Sequence, residues 1–199
     1  MTRGFDDKGR VVSLTELKLD FCLISGERTM EKDGYCAYQL AYGNRIKTNI
    51  TKTQKKLKES LGGKILPFFL REFRYRDDEE KVEIGQEIKA DQIFQTGDLV
   101  SVSAISKGKG FASGIRRYGF KGGPRTHGQS DRERAPGSIG QTTTPGRVYK
   151  GKRMAGRMGS NQITVRNLKV YKIDVENNII SLAGPIPGRK NTLVKIIKA

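Results

Sequence analysis

The sequence GDLVSVSAISKGKG at residues 97–110 joins two different patterns. Its first part predicts a β-strand over Leu99–Ile105, because apolar and small polar residues alternate behind a Gly-Asp turn signal. Its second part opens a stretch, residues 107–160, with 13 Lys or Arg, 13 Gly, two acidic residues and no Leu. The strand has the composition of a core element, whereas the stretch that follows it has too little apolar surface to form one.

Residues 107–160 (the loop) carry a net charge of +11 out of the +17 of the whole chain. Unstructured connections of this length inside compact domains are usually functional or disordered. Lysine and arginine at this density neutralise phosphates, glycines let the backbone approach them, and aromatic rings stack on unpaired bases. The other interpretation is a disordered basic linker, but three prolines and an irregular sequence argue against it. We therefore expect an ordered RNA-binding loop.

The candidate RNA-binding residues are the basic side chains of the loop, together with one aromatic ring and the only histidine. They are Lys107, Lys109, Phe111, Arg116, Arg117, Lys121, Arg125, His127, Arg132, Arg134, Arg147, Lys150, Lys152, Arg153 and Arg157. A sequence pI of about 10.0 agrees with a polyanionic partner.

Catalytic chemistry is poorly supported. Residues 146–152 match GxxxxGK, but Arg153 stands where a phosphate-binding loop needs Ser or Thr. His127 has no neighbouring nucleophile, and Asp131 and Glu133 alternate with arginines, which favours local ion pairs. With two cysteines and one histidine, a structural zinc site lacks ligands. We expect no enzyme activity, no metal and no cofactor.

The remaining sequence predicts a mainly β globular domain. Turn-separated strand patterns recur on both sides of the loop, which predicts a closed or nearly closed antiparallel barrel. One alternating pattern, from Leu17 to Leu23, predicts a half-buried strand, and Thr51–Leu61 predicts a short basic surface helix. We expect residues 1–106 and 161–199 to form this domain, with 107–160 inserted.

The chain also lacks targeting patterns. Its first ten residues contain no apolar segment, and no apolar run approaches the ~20 residues of a membrane span. Cys22 and Cys36 lie in apolar runs and predict free thiols rather than a disulfide. These patterns predict a soluble, cytoplasmic protein.

The loop sequence resembles a known family. SKGKGFASGIRRYGFKGGPRTHG at residues 106–128 and APGSIGQTTTPGRVYKGKRMAGRMGSNQITVRNLKV at 135–170 are similar to bacterial-type members of the ribosomal protein L-three family. Further matches are the Met-Thr-Arg start, FxxGDxVxV at 94–102 and Pro187-Gly188. The resemblance covers nearly the whole chain, strongly over residues 94–175 and weakly over 24–80.

The resemblance implies a six-stranded β-barrel of the translation-protein type, with a small helical elaboration at about 46–75 and a long extended loop. It implies a structural protein of the large ribosomal subunit that binds 23S rRNA near its 3′ end and acts early in assembly. Neighbouring proteins would include the L-fourteen and L-nineteen family members. The missing transit pattern favours a bacterial over an organellar ribosome.

The resemblance also implies that the loop tip, residues 136–146, reaches towards the peptidyl-transferase centre. The residues expected there are Gly137, Ser138, Ile139, Gly140, Gln141, Thr142 and Thr143. Many relatives have a side-chain-methylated glutamine at the position of Thr143, so we expect no such modification here. An intact mass with an added methyl group mapped to Thr143 would contradict this.

Two alternatives remain at this stage. A free-standing RNA chaperone could use the same basic loop, and its binding would weaken more readily with salt. In addition, family members have a short β-strand before the Met-Thr-Arg match. Either this sequence starts late, or the barrel closes without that strand and leaves an edge for a partner to cover.

Overall fold

The computed structural model describes residues 2–6, 8–45, 50–63, 65–75 and 83–199. Parts of the helical elaboration expected at 46–75, residues 46–49 and 64, lie outside this description. The described elements are β1 Thr2–Phe5, β2 Val11–Lys18, β3 Cys22–Arg28, α1 Met30–Asp33, β4 Ala37–Tyr42, α2 Lys52–Ser60, β5 Phe69–Arg74, α3 Ala90–Ile93, β6 Leu99–Ile105, β7 Phe111–Ala112, α4 Gly114–Tyr118, β8 Gly156–Arg157, β9 Gln162–Asp174, β10 Ile179–Ala183 and β11 Val194–Lys198.

Six strands form the larger sheet, in the order β1-β2-β10-β9-β6-β11. β1 pairs antiparallel with β2, and β10 pairs antiparallel with both β2 and β9. Val170 donates its amide to the Asp98 carbonyl, which places β9 beside the start of β6. The apolar side chains buried on these strands are Leu14, Val100, Val102, Ala104, Leu168, Val170, Ile180 and Leu182.

The mainly β composition is confirmed, but the closed barrel is wrong. A barrel closes only when the two edge strands of its sheet pair with each other. Here β1 and β11 stand at opposite ends of the strand order, and none of the described sheets is closed. The turn-separated patterns therefore predicted the mainly β composition correctly, whereas closure depends on long-range pairing that those patterns do not encode.

A three-stranded antiparallel sheet, in the order β3-β4-β5, carries helix α2. Its small-sheet core consists of Leu23, Ala41, Leu61 and Ile65, with Leu57 and Leu70 packed against it. Thr51 caps α2 in a capping box with Gln54, and the chain leaves the helix through Gly62 and Gly63. The helix predicted at Thr51–Leu61 is confirmed. It is held by two leucines on one face, because its other residues are almost all polar.

The chain divides into two compact units. The first comprises Met1–Val100, Asn167–Pro185 and Lys198–Ala199, and the second comprises Ser101–Arg166 and Ile186–Ile197. The small-sheet core and α2 belong to the first unit, and the loop belongs to the second.

Cys22 and Cys36 are both half-buried and are not joined in a disulfide, and burial raises the pKa of Cys22. In the described part of the chain, no helix has both the length and the apolar character needed to cross a bilayer.

Candidate nucleic-acid interface

The loop begins and ends in one hydrogen-bonded stem. Ser106 donates its amide to the Asn161 carbonyl and Lys109 donates to the Met158 carbonyl, each at 2.9 Å. Beyond these pairs, β7 and β8 continue the ladder with antiparallel pairing. The loop therefore starts as a hairpin within the second unit, so the two arms (residues 107–135 and 147–160) begin side by side.

Close backbone packing in the stem depends on Gly159. Its φ of +80° lies in the left-handed region, and a Cβ built on it would collide with the Lys107 carbonyl oxygen. Glycine is the residue that satisfies both conditions, because it has no Cβ and adopts positive φ without strain. Gly159 is therefore needed for the close backbone packing of the stem, whether or not the loop binds phosphate.

Arg117 bridges the two arms. It lies at the end of α4, is half-buried, and donates a hydrogen bond from Nη1 to the Met154 carbonyl at 2.9 Å. The Tyr118 ring has two guanidinium groups within cation–π range, Arg117 at 5.1 Å and Arg153 at 5.6 Å from the ring centroid. Side chains from both arms therefore meet at one tyrosine.

The first arm folds back on itself before the tip. Gly123 donates its amide to the Glu133 carbonyl at 2.8 Å, and a Cβ on Gly123 would lie 2.8 Å from the Arg132 carbonyl oxygen. Arg125 forms a salt bridge with Glu133 at 2.9 Å. The sequence reasoning predicted local ion pairing for Glu133. Its partner is Arg125 across this fold, not an adjacent arginine.

The tip is compact and uncharged. Gly146 donates its amide to the Thr142 carbonyl at 3.2 Å, and the Ser138 hydroxyl donates to the Gly140 carbonyl at 2.9 Å. An open depression is lined by Gly137–Thr142 and Gly146–Val148. Thr143 is exposed. The tip is thus held by its own backbone and hydroxyl contacts without any charged group.

Fourteen of the 15 candidate RNA-binding residues are exposed, and Arg117 is the half-buried one. The structure describes the whole loop, and within it Arg125–Glu133 is the one salt bridge. Phe111 is 78% exposed and Tyr149 60% exposed, which leaves two rings available for stacking. The arms therefore present cations and aromatic faces outward with little internal neutralisation.

No arrangement in the described residues resembles a metal centre, since no group of three or more His, Cys, Asp or Glu side chains converges. His127 is exposed and adopts a positive φ of 62°. The chemistry that the loop can offer is multivalent anion binding combined with stacking.

Comparison with known proteins gives a consistent result. The family model described as Ribosomal protein L3 matches residues 76–177. "Large ribosomal subunit protein uL3" of Herpetosiphon aurantiacus is 46% identical over 200 residues, covering 100% of this chain and 92% of the relative. The chain belongs to the ribosomal protein L3 family. The uL3 protein of Chlorobium limicola is 42% identical, covering 99% of this chain and 93% of its own.

Membership of the L3 family extends over the globular part as well as the loop. The uL3 protein of Dehalococcoides mccartyi is 44% identical over 202 residues and also covers 100% of this chain. The family suggested by residues 106–128 and 135–170 is thereby confirmed.

Sequence reasoning missed three features of this L3-family site: the β7–β8 stem, helix α4 and the Arg117 bridge. The paired glycines near both ends of the loop, at 108 and 110 and again at 156 and 159, were a usable signal for the stem. No local signal distinguished Arg117 from its neighbour Arg116, because both belong to the same basic run.

Proposed function

We propose that this L3-family chain is a structural constituent of the large ribosomal subunit and binds 23S rRNA through the loop. One observation carries the proposal. Eleven of the 13 lysines and arginines in the loop are exposed and have no acidic partner in the described structure, yet the backbone that holds them is ordered by the stem and the arm contacts. Phosphates of a folded RNA would supply the missing negative charge.

The arms and the tip have different parts in this function. The arms bind RNA through the exposed candidate residues, while Arg117 joins the arms to each other. The tip, being small and uncharged, packs among RNA strands towards the peptidyl-transferase centre. Residues 1–106 and 161–199 form the globular domain, which binds near the 3′ end of the RNA beside the L-fourteen and L-nineteen family members and helps to nucleate assembly. Catalysis of peptide bonds belongs to the RNA.

Co-sedimentation with ribosomal subunits tests the proposal. The tagged full-length chain, expressed in cells, should remain with the large subunit in ~0.5 M salt, because many simultaneous phosphate contacts and a packed tip resist counterion competition. An arm variant, Lys150, Lys152 and Arg153 all changed to Gln, should wash off at lower salt. A control variant with Lys8, Lys32 and Lys172 changed to Gln loses the same charge from exposed positions outside the loop and should stay bound.

Release of the unmodified chain from large subunits well below ~0.5 M salt would contradict the proposal. That result would favour the free-standing RNA chaperone, for which association is loose and electrostatic.

A further inference from the structure

Helix α2 presents an exposed face of three lysines. Leu57 and Leu61 pack in the small-sheet core and fix the rotation of the helix about its axis. At about 100° per residue, Lys52, Lys55 and Lys56 fall on the side opposite these leucines. All three are exposed. The lysine face of α2 is therefore directed outward by the same packing that stabilises the helix.

Among the residues that the structure describes, no salt bridge neutralises the lysine face. Lys52 stands three residues from Lys55 and four from Lys56, spacings at which like charges on a helix repel. The first turn of α2 holds no acidic residue. Glu59 lies further along the same face, but among the described residues it forms no salt bridge with Lys55. An external anion would relieve this repulsion.

Among the described residues of the first unit, Arg28 and Lys198 are the basic side chains that form salt bridges. Arg28 binds Asp33 at 2.8 Å and Glu72 at 3.2 Å. Hydrogen bonds from Tyr35 and Arg28 lower the pKa of Glu72. Helix α2, by contrast, has four lysines and one glutamate, a net +3 that is half of the +6 carried outside the loop. Net positive charge is thus concentrated on this short element.

We infer that the lysine face of α2 is a second RNA-binding surface, which takes the phosphate backbone of the ribosomal RNA. The inference rests on the proposed function, since it needs the same polyanion. Lysine is a compact point charge suited to phosphates rather than to base edges, so the contact adds affinity without reading sequence. Because α2 is already formed and capped, binding requires little ordering of the backbone.

A salt titration of RNA binding tests the second surface. The full-length protein is bound to a transcript of large-subunit rRNA, and the slope of log K against log salt is measured. Changing Lys52, Lys55 and Lys56 together to Gln should lower the magnitude of the slope by about 2–3, at roughly 0.7–0.9 for each phosphate contact. The control with Lys8, Lys32 and Lys172 changed to Gln should keep the slope of the unmodified chain. A slope for the α2 variant equal to that of the control would overturn the inference.

The arm variant separates this inference from the proposed function. If the arm variant lowers the slope and the α2 variant does not, the second surface is wrong and the loop still binds RNA. If neither variant lowers it, the proposed function fails as well. Single variants Lys52→Gln and Lys56→Gln keep the test valid if the triple variant misfolds. Each should lower the magnitude of the slope by about 0.7–0.9. An unchanged slope in both single variants would overturn the inference.

Discussion

Arg116 and Arg117 are adjacent in sequence and have different surroundings. Arg116 is exposed and has no polar contact among the described residues, so its charge is available to a partner. Arg117 is half-buried, and its Nη1 is used by the Met154 carbonyl across the arms. At the scale of the residue, the loop thus contains exposed cations and at least one cation that holds the loop together.

Alanine substitution at these two positions should distinguish an arginine that contacts RNA from one that holds the two arms together. Arg116→Ala should lower the magnitude of the salt slope of rRNA binding by about 1, because one phosphate contact is lost. Arg117→Ala should weaken binding about fivefold, from the ~1 kcal/mol of a lost hydrogen bond, with the slope unchanged. Salt titrations of both variants check this. Equal losses of slope would show that Arg117 also contacts phosphate.

At the scale of elements, the stem determines where the two arms begin. Its pairs run from Ser106–Asn161 through Lys109–Met158 to the β7–β8 ladder. Gly159 and Gly151 both have positive φ, +80° and +79°, but only Gly159 is crowded, whereas nothing lies within 4 Å of a Cβ built on Gly151. The two glycines therefore differ in steric room and not in backbone conformation.

Replacing each of these glycines with alanine should reveal the packing of the stem. Gly151→Ala should add only the strain of a left-handed alanine, about 1–2 kcal/mol, locally in its arm. Gly159→Ala adds a clash with the Lys107 carbonyl and should open the stem. Hydrogen exchange of the Lys109 and Met158 amides should then accelerate about tenfold or more in Gly159→Ala alone. Equal acceleration in both variants would argue that the clash is relieved elsewhere.

The elements also show which features the sequence could predict. The strand predicted at Leu99–Ile105 is confirmed as β6, because its alternation and its turn signal are both local. The single strand predicted from Leu17 to Leu23 is wrong: β2 ends at Lys18, β3 begins at Cys22, and Phe21 between them is 52% exposed. β2 pairs with β10 in the larger sheet, whereas β3 pairs with β4 in the smaller sheet. A periodic pattern does not show that the chain passes from one sheet to another. Because strand pairing cannot be deduced from local patterns, these patterns could not show that the larger sheet stays open.

In the candidate site, charge and exposure were predictable and contacts were not. Lysine and arginine are costly to bury without partners, so their exposure in the loop follows from composition. The meeting of the arms at Tyr118 joins side chains 35 residues apart in sequence, Tyr118 and Arg153. Such a contact depends on the path of the whole loop.

At the scale of the whole molecule, the loop and the rest of the chain differ in what stabilises them. The buried apolar residues lie almost entirely outside the loop. Within the loop, Ala112 is the one apolar residue of the buried core. Hydrogen bonds of the stem, the arm bridge and the tip hold the loop instead. Without a core, such a segment opens locally at a lower free energy than the sheets do.

Limited digestion with chymotrypsin should therefore cut the free protein first in the loop, at Phe111, Tyr118, Phe120 or Tyr149. Phe21 and Phe68 are internal controls, since both rings are about half exposed but their backbones are hydrogen-bonded beside β4. Large-subunit rRNA should slow the loop cuts strongly and leave other cuts unchanged. Mass spectrometry of early fragments gives the order. Initial cleavage at Phe21 or Phe68, or loop cleavage unaffected by RNA, would contradict this picture.

The stem has a consequence for how a bound copy could be replaced. Because the loop returns to the residue beside its point of departure, no chain terminus would have to pass through the RNA if the loop binds it as proposed. The protein and the RNA then remain topologically unlinked, however deeply the tip is inserted. Exchange between a bound and a free copy would then require only that contacts be released in succession, so turnover would depend on salt and affinity and not on threading.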